Sequence, residues 1–299
     1  MKSDSNNNSE QNNLQTISTS PELKVRYKAA KGSPKGSIVF VHGICHGAWC
    51  FEYFMNFFSE NGYECFALNL RGHGDNSRKG LTFATLSQYA DDVAECIKYC
   101  TEHCNRNGIK EKPFLLGHSM GGAVVQKYIK EHFDEIKGVV LFASATAKRM
   151  PYFKTLFNLR KKNLRTAALK AWGFKVADKK IAGSAFFDNR IKLVNNITGY
   201  NKLLHKESIV ITFVSLYLPY YKGEYNGDIP ILTIGSEADS YFPKESLLKT
   251  AKVYGCTESD TKRHLKILTD LCHDMMLDEV DNGWKKSAKA VLDFMENNK

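Results

Sequence analysis

The stretch that most constrains this chain is Pro113 to Val125, PFLLGHSMGGAVV. An apolar run, Phe114 to Leu116, stops at Gly-His-Ser-Met-Gly-Gly, and a helical pattern through Ala123, Val124, Tyr128 and Ile129 begins at once. The order is strand, sharp turn, helix. A serine at such a corner is held in strained backbone geometry that pushes its hydroxyl clear of the sheet. Bulk two residues to either side would collide with the flanking backbone, which accounts for Gly117 and Gly121. The turn also puts the Met120 N–H in the first turn of a helix, where it has no intrahelical acceptor and is free to bind an oxyanion. Ser119 is therefore the candidate nucleophile, and three defined residues gain their weight from this context.

Elsewhere short apolar runs alternate with amphipathic stretches, the pattern of a mainly parallel sheet covered on both faces, an α/β fold. Leu23, Val25 and Tyr27 alternate like an edge strand. Ser37 to Val41 is a buried run that ends in His42-Gly43-Ile44-Cys45-His46-Gly47. A small-residue loop at that point lets a backbone N–H face the nucleophile, and Ile44 N–H is the candidate second oxyanion donor. His42 and His46 are expected to serve the loop structurally. A helix around Trp49 to Phe58, a strand from Glu64 to Leu70 and the turn Arg71-Gly72-His73-Gly74 follow. Thr85 and Gln88 form a capping box for a helix with an apolar stripe. Ile136 to Ser144 is a further strand.

The alternation then lapses from 145 to 227. This interval is too long for a structureless loop, so a folded helical insertion is expected. Its aromatic residues, Trp172, Phe186, Phe187 and Tyr217 among them, are candidates to line a pocket for an acyl chain. It is also basic: thirteen Lys and Arg against Asp178 and Asp188 between Lys148 and Lys192, so the net charge of +10 is concentrated there. A solvated face is the commoner origin of such a patch. Attraction to an anionic membrane surface is the functional alternative, whereas nucleic acid is not expected because no binding module accompanies the charge.

After 227 the strand pattern resumes at Ile229 to Ile234. The following loop holds Glu237 and Asp239, and a histidine general base needs such a carboxylate on Nδ1. Asp239 is the better candidate and Glu237 the second, since the loop from Ala143 to Arg149 has no acid. A last strand, His264 to Leu268, precedes His273, the candidate base, and a final amphipathic helix. No metal or organic cofactor is called for by this set.

At the ends of the chain and in its cysteines composition adds three expectations. Residues 1–20, rich in Asn and Ser, should form a disordered tail. With no secretory h-region and no run of about 18 uncharged apolar residues, the protein is expected to be cytoplasmic. The eight cysteines should be reduced thiols, with Cys96, Cys100 and Cys104 on one buried helical stripe.

Together these residues resemble the α/β-hydrolase superfamily in the order Ser, Asp, His. The resemblance runs from about Lys24 to the C-terminus through His42-Gly43, the R-G-H-G turn, the G-x-S-x-G elbow, the G-x-x-x-D-x-x-x-P loop of Gly235 to Pro243, and Cys272-His273. The likeness is nearest to the lysophospholipase and monoacylglycerol-lipase-like branch, which implies a core of residues 21–144 and 228–299, a helical cap at 145–227, and a serine carboxylic-ester hydrolase acting on a small-molecule ester or lipid. Val41 to Trp49, VHGICHGAW, also resembles the methylesterase and hydroxynitrile-lyase branch, for which the R-G-H-G turn is atypical. Serine at 119 excludes the aspartate-nucleophile chemistries of the superfamily. A ligand receptor without turnover, and a thioesterase, C–C hydrolase or lyase, are the rival readings.

Overall fold

A computed structural model of the chain describes residues 14–147, 186–187, 197–211, 225 and 227–299. Eight strands form one sheet: β1 (Gln15–Ser18), β2 (Lys24–Lys28), β3 (Gly36–Val41), β4 (Tyr63–Leu68), β5 (Phe114–His118), β6 (Gly138–Phe142), β7 (Ile231–Ser236) and β8 (Arg263–Leu268). Their order across the sheet is β1-β2-β4-β3-β5-β6-β7-β8. The pairs β1–β2 and β2–β4 are antiparallel, and every pair from β4–β3 to β7–β8 is parallel. This is the α/β-hydrolase fold.

The apolar runs are continuous because alternate side chains enter two different cores. On one face Val39, Val41, Leu115, Val139 and Leu141 pack with residues of α2 (Leu86–Arg106), α3 (Met120–His132) and α5 (Lys244–Tyr254). On the other, Ile38, Phe40, Leu116, Val140 and Phe142 meet α1 (Glu52–Glu60) and α6 (Gly283–Asn297). Phe40 is fully buried, with the rings of Phe51, Phe54 and Phe58 at 5.0, 6.4 and 5.9 Å. Truncating it to alanine would cost about 3–5 kcal/mol.

Helix α2 is set by the expected capping box: Gln88 N–H donates to Thr85 Oγ1 and Thr85 N–H to Gln88 Oε1. Cys96, Cys100 and Cys104 are buried on its inner face. The expected helix near Trp49 opens as a 3-10 turn, Ala48–Phe51, before α1.

Two expectations are corrected. The disordered tail does not extend to residue 20, because β1 occupies Gln15–Ser18 and pairs with β2 from Gln15↔Tyr27 to Ser18↔Lys24. Consequently β2 is not the edge strand. Polar residues suffice for β1 because backbone bonding to one neighbour holds it, and only Ile17 packs on the core. Of the interval 145–227, helix α4 (Ile197–Leu203) and a few short stretches are described. Trp172, Tyr217 and the basic run from Lys148 lie outside the described residues, as do residues 1–13. No helix of the described residues is long and apolar enough to cross a membrane.

Candidate active site

Parallel strands carry all their C-terminal ends to one edge of the sheet, where loops can converge. The loops after β3, β5, β7 and β8 there supply the residues around Ser119.

Ser119 has φ 54° and ψ −120°, a conformation that costs a non-glycine residue of order 1–3 kcal/mol. The corner is over-determined by its surroundings. Ser119 N–H donates to Phe142 O, while Ser119 O accepts from Ala145 N–H and Gly122 N–H. The corner also needs the absence of side chains: a Cβ on Gly121 would come within 2.3 Å of Val41 O, and one on Gly117 within 2.5 Å of Gly121 O.

From this corner a chain of two hydrogen bonds leads to a carboxylate. The Ser119 hydroxyl lies 2.9 Å from His273 Nε2, and His273 Nδ1 lies 2.8 Å from Asp239 Oδ2. A carboxylate only accepts, so Nδ1 carries the hydrogen and Nε2 is left as an acceptor for the hydroxyl. Asp239 is aimed by two backbone donors, Tyr241 N–H at 2.7 Å and Phe242 N–H at 3.0 Å, both to Oδ1. Ser119, Asp239 and His273 are all buried. Glu237, the second candidate acid, is exposed.

The loop after β3 presses against the corner. A Cβ on Gly43 would lie 2.9 Å from Ser119 Cβ. Around this loop the polar groups are spoken for. His46 N–H donates to Gly43 O, His46 Nδ1 to Ile44 O, and Cys45 N–H to Glu207 Oε2, while Cys45 O accepts from His205 N–H. No acceptor among the described residues takes the Ile44 or the Met120 N–H. Both amides therefore stay the candidate oxyanion donors. His42 does not reach Ser119: its Nε2 accepts from Leu70 N–H and its Nδ1 donates to Gly43 O. Burial pushes His42 well below the ordinary histidine range, in keeping with this neutral form.

A second buried charge stands beside the imidazole. Asp274 Oδ2 is 3.0 Å from His46 Nε2, and Oδ1 is 3.6 Å from His118 Nε2. Burial opposes ionisation of Asp274, but His46 and, beyond it, His118 and His273 outweigh that and hold its carboxyl below the usual range. His118 itself is pushed well below its ordinary range by burial and by His273. His118, His273 and Asp274 bring ligand atoms within 4.8 Å of one another, a spacing a metal could use. Both ring nitrogens of His273 are already taken by Ser119 and Asp239, so this group does not fit a metal cradle.

Of the expected aromatic pocket, Phe186 is at the site: its ring stacks at 6.4 Å on His273 and at 5.9 Å on Tyr241. Phe187 stacks instead on Tyr200, which stacks on Trp49, away from the imidazole. Sequence reasoning missed Tyr241 and Phe242, whose rings lie 4.9 and 5.5 Å from His273. Their place two and three residues after Asp239 was the available signal. It also missed Asp274 and Glu207, whose partners are remote in the chain.

A profile of the family described as Serine aminopeptidase, S33 matches residues 32–280. Among curated proteins, Methyl jasmonate esterase 1 of Vitis vinifera is 33% identical over 107 residues, 36% of this chain and 38% of that protein. Putative methylesterase 11, chloroplastic, of Arabidopsis thaliana is 31% identical over 122 residues, 41% of this chain and 30% of that protein. The matched region spans about a third of the length of these relatives. Among solved structures, a soluble variant of monoglyceride lipase from Saccharomyces cerevisiae in complex with a substrate analog aligns with TM-score 0.70 at 17% identity, over 96% of this chain and 94% of that one. A thermophilic esterase from Thermogutta terrifontis aligns with TM-score 0.66 at 17% identity, over 95% and 97%. At such identities the likeness is one of fold.

Proposed function

Because the chain belongs to the serine aminopeptidase S33 family of α/β-hydrolases, we propose that it is a serine hydrolase that cleaves a carboxylic ester through an acyl-enzyme intermediate. The observation that carries this reading is the hydrogen-bonded series Ser119, His273, Asp239 at the strand ends, with Ser119 in the strained elbow conformation. His273 Nε2 takes the hydroxyl proton as Ser119 Oγ attacks the acyl carbon, and Asp239 stabilises the imidazolium that results. The Ile44 and Met120 amides receive the tetrahedral oxyanion, each worth about 2.7–4 kcal/mol in comparable sites. His273 then returns its proton to the departing alcohol, and water repeats the sequence on the acyl-enzyme.

On the acyl side we propose a lipid-like chain. Phe186 over the imidazole supports it, as does the aromatic content of the interval 145–227, which we read as a helical cap with Trp172 and Tyr217 among its pocket residues. The basic residues of that interval would hold the enzyme against an anionic membrane surface. A second reading, a small methyl ester, is favoured by the curated methylesterase relatives and by VHGICHGAW.

The test is labelling by a fluorophosphonate followed by a panel of p-nitrophenyl and methyl esters graded by acyl length. Labelling lost in Ser119→Ala, with turnover rising along the acyl series, is expected. Turnover that survives Ser119→Ala rejects the nucleophile. Stoichiometric labelling of a protein that turns nothing over would point to a ligand receptor, and turnover confined to methyl esters would exchange the lipid-like substrate for the second reading.

A further inference from the structure

We infer that Glu207 is a positioning residue for the oxyanion-binding loop: a carboxylate from the segment between β6 and β7 that fixes the peptide next to the Ile44 amide. The inference rests on the esterase reading given above.

Glu207 is buried and its carboxylate meets four donors. Cys45 N–H, at 3.2 Å, and His73 Nε2, at 3.1 Å, face Oε2; the Tyr89 hydroxyl, at 2.6 Å, and Ser208 N–H, at 2.8 Å, face Oε1. His73 Nδ1 faces another acceptor, Arg71 O, at 3.1 Å. Burial opposes ionisation of Glu207, but His73 and the bonds from Tyr89 and Ser208 overcome it and hold the group below the usual carboxylate range. The result is a fully enclosed hydrogen-bonded cluster that joins Glu207 to the His73 of the R-G-H-G turn. Buried polar groups of this kind add little stability and can serve to specify one arrangement over others.

What it specifies here is a strained loop. Cys45 has φ 64°, in the left-handed region that a side chain disfavours. That conformation is held at both of its peptides by the same short segment: Cys45 N–H by the Glu207 carboxylate, and Cys45 O by His205 N–H at 2.8 Å. The peptide joining Ile44 to Cys45 is thereby held in place, while the Ile44 N–H has no acceptor among the described residues. An oxyanion donor has to be in place before charge develops, because reorientation at the moment of reaction cancels its benefit. Glu207 supplies that preorganisation without touching the substrate. It also makes the segment after α4 part of the same unit as the catalytic loop.

The test compares Glu207→Gln with the wild type on a p-nitrophenyl ester and on a trifluoromethyl ketone, which forms a tetrahedral oxyanion on the serine. The glutamine keeps an oxygen for Tyr89 and Ser208 and turns an amino group towards Cys45 N–H, removing one acceptor with little change of volume. The expected result is a kcat lower by about 10- to 100-fold, less than the about 10²- to 10³-fold of deleting a donor outright, with KM within about twofold. Ketone affinity should fall in step with kcat. A kcat and ketone affinity at wild-type level, or a loss confined to KM, overturns the inference while leaving the esterase reading intact. A wild-type protein that neither turns over esters nor labels at Ser119 removes both. If Glu207→Gln does not fold, Glu207→Asp retains the charge beside His73 and withdraws the carboxylate from Cys45, and it must give the same kcat and ketone signature.

Discussion

Gly43 lies so close to Ser119 that a β-carbon on it would stand 2.9 Å from the serine Cβ and 3.0 Å from His118 Nδ1. Both neighbours are fixed, the serine by its elbow and His118 by burial within β5, so an added methyl group has to displace the loop. Gly43→Ala should lower kcat for a p-nitrophenyl ester by about 10²-fold, because the next amide, Ile44, moves away from the oxyanion. Stopped-flow labelling by a fluorophosphonate checks it: labelling should slow in parallel, while a variant that acylates at the wild-type rate would disconnect this loop from the chemistry.

The carboxylate assignment separates two acids two positions apart. Asp239→Asn leaves the ring of His273 without the partner that fixes its tautomer, and kcat should fall by about 10⁴-fold. Glu237→Gln, at an exposed position, should fall within about twofold of wild type. Steady-state kinetics of the two variants decide the matter, and the reverse ranking would reassign the acid.

Acid should destabilise the fold in two stages. Burial pushes His42 and His118 below the ordinary histidine range, so from about pH 6.5 downwards the unfolded chain binds protons that the folded chain refuses. Stability from this source is complete above about pH 6.5 and declines by up to about 1.4 kcal/mol per pH unit for each histidine as pH falls. The depressed carboxyls of Asp274 and Glu207 begin to lose their contribution only below about pH 4, the unfolded carboxylate range. Urea unfolding of wild type and His118→Asn between pH 7.5 and 4.5 reads the first stage, and the variant should show the shallower slope above pH 4.5.

Surface attraction is tested with the basic run. Replacing Arg160, Lys161 and Lys162 with glutamine should weaken hydrolysis of an ester carried in vesicles with anionic lipid by up to about 100-fold, since each charge is worth about 1 kcal/mol near such a surface. Hydrolysis of a soluble neutral ester should change little. Equal losses on both would leave these residues as a solvated face.

The parts of the site that were legible in the sequence are those whose geometry is local. The Ser119 elbow follows from which residues fit a strand-to-helix corner, and His273 and Asp239 follow from the positions of strand ends. Helix α2 was readable from its cap and its stripe for the same reason. Glu207 was not, because its partners Cys45, His73 and Tyr89 are 162, 134 and 118 residues away. Asp274 adjoins His273, yet its partner His46 is 228 residues distant. Asn69 likewise acts on a loop it is not adjacent to: its Oδ1 accepts the Ala48 N–H at 2.7 Å and so ties the loop after β4 to the one after β3. Strand β1 escaped for another reason: a polar strand of four residues, held by main-chain bonds, leaves no hydropathy pattern to read.

All eight cysteines are buried thiols: three in α2, one in β4, one in the 3-10 turn Ala48–Phe51, and one each in the loops after β3, α5 and β8. A maleimide added to the folded protein therefore finds nothing to modify until a part of the chain opens. Cys45 and Cys272 border the reactive corner, whereas Cys96 and Cys100 sit deep under α2. The order in which these sulfurs become alkylated is a built-in chronometer of which region loosens first.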